Sequence, residues 1–215
     1  MPQKPLTPQS AAVFVDAANF YRSIKKITRA SAIDVRKVAD KAALGRTLTG
    51  IHYFTVAFGA GAAQRLVDQN REVVAMLEKD PRVSIHRGHI QKLRTDNEFA
   101  TKVKRYLANL AAVRIPREIY TDLVRMADEH VEVVTYHEKG VDVALACEMV
   151  RLAQANAFDV AYLLSGDADF VPAVEVVRSF GKRVMLVHPD AANRLIQASD
   201  VSIQIDAAWL SDCRW

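Results

Sequence analysis

Short apolar runs alternate with amphipathic stretches along most of the chain. Residues 11–15, 50–58, 83–86, 131–137, 160–164, 184–187 and 201–205 are rich in β-branched or aromatic side chains and read as strands. Apolar positions recur at helical spacing over 19–27, 34–44, 62–79, 97–113, 116–129, 141–156, 170–180 and 191–198, with a last helical turn expected at 207–212. Gly45 and Gly181 follow two of these helices, and Pro81 follows a third, as helix stops commonly do. Strands alternating with helices predict an α/β fold with a mostly parallel central sheet. Residues 92–130 break the rhythm by reading as mostly helical, and are taken as an insertion.

Acidic residues stand where three of these elements meet. The run Val160–Leu164 breaks at Ser165-Gly166 into Asp167-Ala168-Asp169-Phe170, after which Val171-Pro172 opens a helix. The first strand ends in Asp16-Ala17-Ala18-Asn19, and Lys139-Gly140-Val141-Asp142 opens the helix carrying Val141, Leu145, Met149, Leu152 and Ala153. In open parallel sheets, ligands bind beyond the carboxyl ends of the strands, where Asp16, Asp167 and Asp169 fall. A plainer reading exists for each acid: Asp169 as an N-cap, Asp167 as a turn residue, Asp142 as a charge favoured by a helix dipole. Three acid sites, all at element boundaries, favour a shared function.

The same residues carry a resemblance. Val-Asp-Ala-Ala-Asn-Phe at 15–20, Lys-Gly-Val-Asp-Val-Ala-Leu at 139–145 and Leu-Ser-Gly-Asp-Ala-Asp-Phe-Val-Pro at 164–172 resemble the motifs of the NYN (LabA-like) family, part of the PIN-like nuclease superfamily. The resemblance runs from about residue 11 to 206. It implies a PIN-like three-layer α/β/α fold, a carboxylate cluster for divalent metal, and ribonuclease activity, endonucleolytic by expectation. The expected organisation is a disordered lead at 1–10, one domain at 11–206 with the insertion at about 92–130, and a tail at 207–215. Members often carry a further acid a turn or two after the second of these motifs. Glu148 stands near that place, and the sequence leaves open whether it serves the site or the helix surface.

Composition narrows the classes. The chain has 215 residues and is 50% hydrophobic, enough for one domain with a buried core. No run approaches the roughly 18 apolar residues of a membrane span, and Met1–Ser10 lacks the apolar core of a signal peptide, so a soluble cytoplasmic protein is expected. Cys147 and Cys213 have no second Cys or His at zinc spacing, which supports neither a disulfide framework nor a cysteine zinc site. The net charge of +4 is unevenly spread: Lys/Arg 82, 87, 92, 94, 102, 104, 105, 114 and 117 face only Asp96 and Glu98, a local excess of seven that leaves the remainder at −3. A polyanionic partner fits this balance, RNA ahead of DNA, with Lys102, Lys104 and Arg105 as phosphate contacts. The competing reading is a solvated helix face. A homo-oligomer is left open.

The chemistry follows from the donor set. Asp16, Asp142, Asp167 and Asp169 at one end of a sheet would repel one another unless a cation neutralised them, and oxygen-only ligands favour Mg²⁺ or Mn²⁺. Such an ion activates water and stabilises charge on an attacked phosphodiester. Asn19, Lys139, the Ser165 hydroxyl and the Gly166 amide are candidate substrate contacts, and His188 reads as a satisfied rim residue. A Gly loop at 59–62 lacks the Lys-Ser/Thr ending of a phosphate cradle. A haloacid-dehalogenase-type phosphatase would need a second acid where Ala18 stands, and a Toprim-like site would need Glu after an earlier strand. A non-catalytic RNA-binding or regulatory module remains the alternative.

Overall fold

A computed structural model describes residues 9–28, 33–56, 64–110, 116–129 and 132–215. Residues 1–8 of the expected lead and the Gly loop at 59–62 lie outside the described residues. The chain divides into two units, residues 1–89 with 139–215, and residues 90–138.

The first unit is built on parallel strands β1 (Ser10–Asp16), β2 (Thr47–Val56), β3 (Val83–Asp96), β5 (Val160–Leu164), β6 (Arg183–His188) and β7 (Val201–Gln204), in the order β3-β2-β1-β5-β6-β7. Counted among themselves, the six run 3-2-1-4-5-6, a doubly wound order whose direction reverses between β1 and β5. β5 is apolar along its length, and β1 and β6 are apolar between their end residues, as strands covered on both faces must be.

Strand alternation sorts the core into two layers. Ala11, Val13 and Val15 point to one face with Ile51, Tyr53, Val160 and Tyr162, where they meet α1 (Ala17–Ile27), α2 (Val35–Ala42) and the end of α3 (Gln64–Leu77). Ala12 and Phe14 point to the other, where α6 (Val141–Gln154) packs on β1 and β2, and α7 (Val171–Ser179) packs on β6 and on α8 (Asn193–Ala198). The spacing of Val141, Leu145, Met149 and Ala153 is that of one helical stripe, and all four are buried. The helix expected at 207–212 is a set of turns instead. Leu210 and Cys213 are nonetheless buried in the first layer, and Asp34 N donates to Cys213 O at 2.8 Å, so the segment is anchored without becoming a helix.

The second unit contains the outer part of β3, α4 (Glu98–Leu110), α5 (Arg117–Glu129) and most of β4 (Glu132–Lys139), which lies beside β3. Residues 92–96, the start of the stretch read as a mostly helical insertion, therefore extend β3 ahead of the helix expected from 97. Helices α4 and α5 pack on each other, and Lys104 bridges to Asp128 at 2.6 Å.

Gly88 near the middle of β3 allows a close backbone approach. A Cβ there would lie 2.6 Å from Val141 Cγ2 and 2.7 Å from the Lys139 carbonyl, so the chain entering α6 packs directly against β3. Gly88→Ala is expected to cost about 1–3 kcal/mol by overpacking, read as a lower urea midpoint at unchanged slope; an unchanged midpoint would show that the junction yields freely.

Candidate active site

Asp16 ends β1 and caps α1, accepting a hydrogen bond from Asn19 N at 3.1 Å. Its side chain is buried, and its second oxygen accepts from Ser165 Oγ at 3.0 Å, just past the end of β5. The Asn19 side-chain oxygen Oδ1 in turn accepts from Gly166 N at 2.9 Å, and Ser165 Oγ accepts from Asp167 N at 3.2 Å. Two neighbouring strand ends are thereby laced together at the point where strand order reverses. This is the position where doubly wound sheets open a crevice for ligands.

The acidic turn is shaped by its own carboxylates. Asp167 caps a 3₁₀ turn, Ala168–Phe170, by accepting from Asp169 N at 3.0 Å, so the capping role expected of Asp169 belongs to Asp167. Asp169 is exposed. Pro172 falls in the first turn of α7, where its missing N–H costs nothing. Gly166 is required sterically: a Cβ would lie 2.3 Å from the Asp190 carbonyl, which belongs to the loop after β6.

Asp142 lies in the first turn of α6, which follows Gly140 in a left-handed conformation. The electrostatics tie it to the other acids. Burial pushes Asp16 up to about 6; its two hydrogen bonds oppose this, and the charges of Asp142 and Asp167 add to it. Asp142 is also raised, by partial burial and then by Asp167 and Asp169. All four aspartates therefore share one field at the carboxyl end of the sheet.

The remaining sequence candidates divide. Ser165 and the Gly166 amide, expected as phosphate contacts, are occupied within the protein and act as braces for the turn. Asn19 joins the two strand ends through its side-chain oxygen. Lys139 is exposed one residue before the Gly140 turn. Lys102, Lys104 and Arg105 are exposed on α4, with Lys102 3.7 Å from Glu98 and Lys104 paired to Asp128. Arg82 and Arg87 are likewise paired, with Asp40 and Asp80 and with Glu78, so part of the local basic excess is neutralised in place. His188 is buried with Nε2 2.7 Å from Ser202 Oγ, but its Nδ1 has no partner among the described residues, so it is only half satisfied.

One cluster escaped the sequence reading. Among the described residues, the group of three metal-competent side chains whose ligand atoms all lie within 4.8 Å of one another is His52, His86 and Glu148. Burial holds His52 down at about 4 and lowers His86 as well, so both imidazoles are neutral near pH 7. Glu148 thus belongs to neither the aspartate cluster nor a free helix surface. No three of the four aspartates meet that mutual distance among the described residues.

Comparison with known proteins places the chain. Residues 101–206 match the NYN domain. That stretch, just under half of the chain, is NYN-like. NYN is a PIN-like nuclease family, and the match takes in the motifs at 139–145 and 164–172 while leaving that at 15–20 outside. The crystal structure of a protein of unknown function from Vibrio parahaemolyticus is similar over 96% of this chain and 99% of that one, with a TM-score of 0.56 and 15% identity, a likeness of fold. No curated protein matches. Asp16 therefore joins the NYN motifs through the fold, by the pairing of β1 with β5.

The Asp16 shift has a sign that can be tested. An unfolded Asp titrates near 3.9, so between about pH 4 and 6 the folded chain holds the proton more tightly and loses stability as pH rises. Above pH 6 the buried charge costs on the order of 2–3 kcal/mol. In EDTA, Asp16→Asn is expected to melt higher than the parent at pH 7.5, with the difference shrinking to nothing near pH 4; a pH-independent difference would contradict the assignment.

Proposed function

We propose that this NYN-like protein is a divalent-metal-dependent nuclease that hydrolyses phosphodiesters, with RNA as substrate. The observation that carries the reading is the buried Asp16 carboxylate at the β1/β5 switch point, destabilised by the charges of Asp142 and Asp167. Dinucleotide-binding sheets place glycines after the first strand so that bare amides meet a pyrophosphate. Here Asp16-Ala17-Ala18-Asn19 stands there instead, and a carboxylate at that position would repel a phosphate unless a cation lay between them.

The residues fit such a cation. Asp16, Asp142, Asp167 and Asp169 offer only oxygen, which suits Mg²⁺, an ion that commonly keeps several waters and takes one or two carboxylates directly. When bound, Mg²⁺ or Mn²⁺ would supply a water of lowered pKa and a positive charge opposite the attacked phosphate. Ser165 and Asn19 hold Asp16 in one orientation, so the site does not reorganise when substrate arrives. Asp142 and Asp169 are exposed and so accessible to substrate. Lys139, beside Asp142 in sequence, offsets substrate charge. Lys102, Lys104 and Arg105 on α4 would act in capture, adding phosphate contacts that salt weakens.

Asp167→Asn can still cap the 3₁₀ turn, so it should fold. Its cleavage of labelled single-stranded RNA should fall by more than the roughly 10–100-fold typical of changes one shell further out. Parent activity should vanish in EDTA, return with Mn²⁺ or Mg²⁺, and leave 5′-phosphate ends. A cyclic phosphate product would mean metal-independent attack by the ribose hydroxyl; RNA binding without cleavage in either metal would favour a regulatory module.

A further inference from the structure

His52 on β2 and His86 on β3 occupy the sheet face that α6 covers. Strand register sets Phe54 opposite His86 and His52 opposite Ser84, so the two imidazoles are diagonal neighbours on one face. Each ring is fixed by an aromatic plate. His52 stacks on Phe14 with centroids 5.1 Å apart and planes 14° apart, and His86 on Phe54 at 4.3 Å and 11°. Their edges meet, His52 Nδ1 lying 3.4 Å from His86 Nε2. Glu148 comes down from α6 with Oε1 3.9 Å from His52 Nδ1, while Arg151 holds its two oxygens at 2.7 Å each.

We propose that His52, His86 and Glu148 form a binding site for a late first-row divalent cation, Zn²⁺ foremost, separate from the aspartates. The spacing carries the assignment. Two nitrogens bonded to a tetrahedral ion at about 2.0–2.1 Å stand about 3.4 Å apart, which is the separation of the two imidazole nitrogens here. Glu148 Oε1 is about 0.5 Å beyond that edge length from His52 Nδ1, and the ligand atoms of all three residues lie within 4.8 Å of one another, so a small side-chain closure supplies the third ligand. Two imidazoles with one carboxylate favour zinc, cobalt or nickel over magnesium or calcium. The His52 and Glu148 side chains keep 14% and 17% exposure, enough for an ion to enter and for water to take a fourth position. Phe14 and Phe54 fix the rings, and Arg151 orients the carboxylate, the supporting role usual around metal ligands. Bound there, the ion would tie β2, β3 and α6 together, and so act on the stability of the fold independently of the chemistry at Asp16.

The test uses the full chain, stripped with EDTA, dialysed, and titrated with Zn²⁺ in excess Mg²⁺, with Co²⁺ as the spectroscopic probe. One Zn²⁺ per chain, a raised melting temperature and the visible bands of tetrahedral Co²⁺ are expected. Asp167→Asn should keep all three. His86→Gln and Glu148→Gln should each lower Zn²⁺ affinity at least about tenfold and remove the Co²⁺ bands, with far-ultraviolet dichroism matching the parent in at least one of the two. An absence of Zn²⁺ binding by the parent would overturn the proposal, leaving an imidazole–imidazole hydrogen bond as the role of the cluster. So would binding unaffected by both substitutions, or binding removed by Asp167→Asn alone.

Discussion

A buried carboxylate at the end of the central strand is the constraint on which the rest of the site depends. Asp16 is placed by β1, which is buried from Ala11 onward, and it is held by the Asn19 amide and the Ser165 hydroxyl. Those two bonds offset part of the cost of burial, yet the group still binds its proton more tightly than a free Asp does. The neighbouring acids make that cost larger. Such an arrangement lowers the stability of the empty fold, and a charge that burdens the fold in this way is what a cation-binding site requires.

The scaffold around Asp16 serves to bring acids from distant segments to one place. Parallel pairing of β1 with β5 sets Asp16 beside Ser165, although 149 positions separate them in the chain. The loop after β6 presses on Gly166 so closely that no side chain fits, which fixes the acidic turn from the other side. Gly88 does the same for the start of α6 and so for Asp142. Each acid is presented near the end of an element anchored in the core, and packing of that core determines the geometry of the acids.

Much of this was legible in the chain. A five-residue run such as Val160–Leu164, ended by Ser165-Gly166, fits a covered strand, and the stripe Val141, Leu145, Met149, Ala153 fits one face of a helix, so the elements and their alternation were readable. The acids were readable because each interrupts an apolar pattern at a boundary. Other features depend on tertiary packing. Residues 92–96 continue β3 because a neighbouring strand pairs there, which no local propensity reveals. Ser165 and Gly166 looked available to a ligand, but their partners Asp16 and Asn19 arrive from the far end of the sequence. His52, His86 and Glu148 show no ligand spacing at all, since strand register and the packing of α6 bring them together, and a search for zinc motifs around the cysteines could not find them.

The coupling between proton and cation at Asp16 offers the most direct test. If the ion is held by this carboxylate, binding must expel the proton that the empty site retains, since the ligand form is the anion. Calorimetric titration of the chain with Mg²⁺ or Mn²⁺ in two buffers of different ionisation enthalpy gives the number of protons released. At pH 6, about half a proton per ion should leave, falling to none at pH 8 and absent at both in Asp16→Asn. Ion binding at pH 6 with no proton released would contradict the placement of the cation at Asp16.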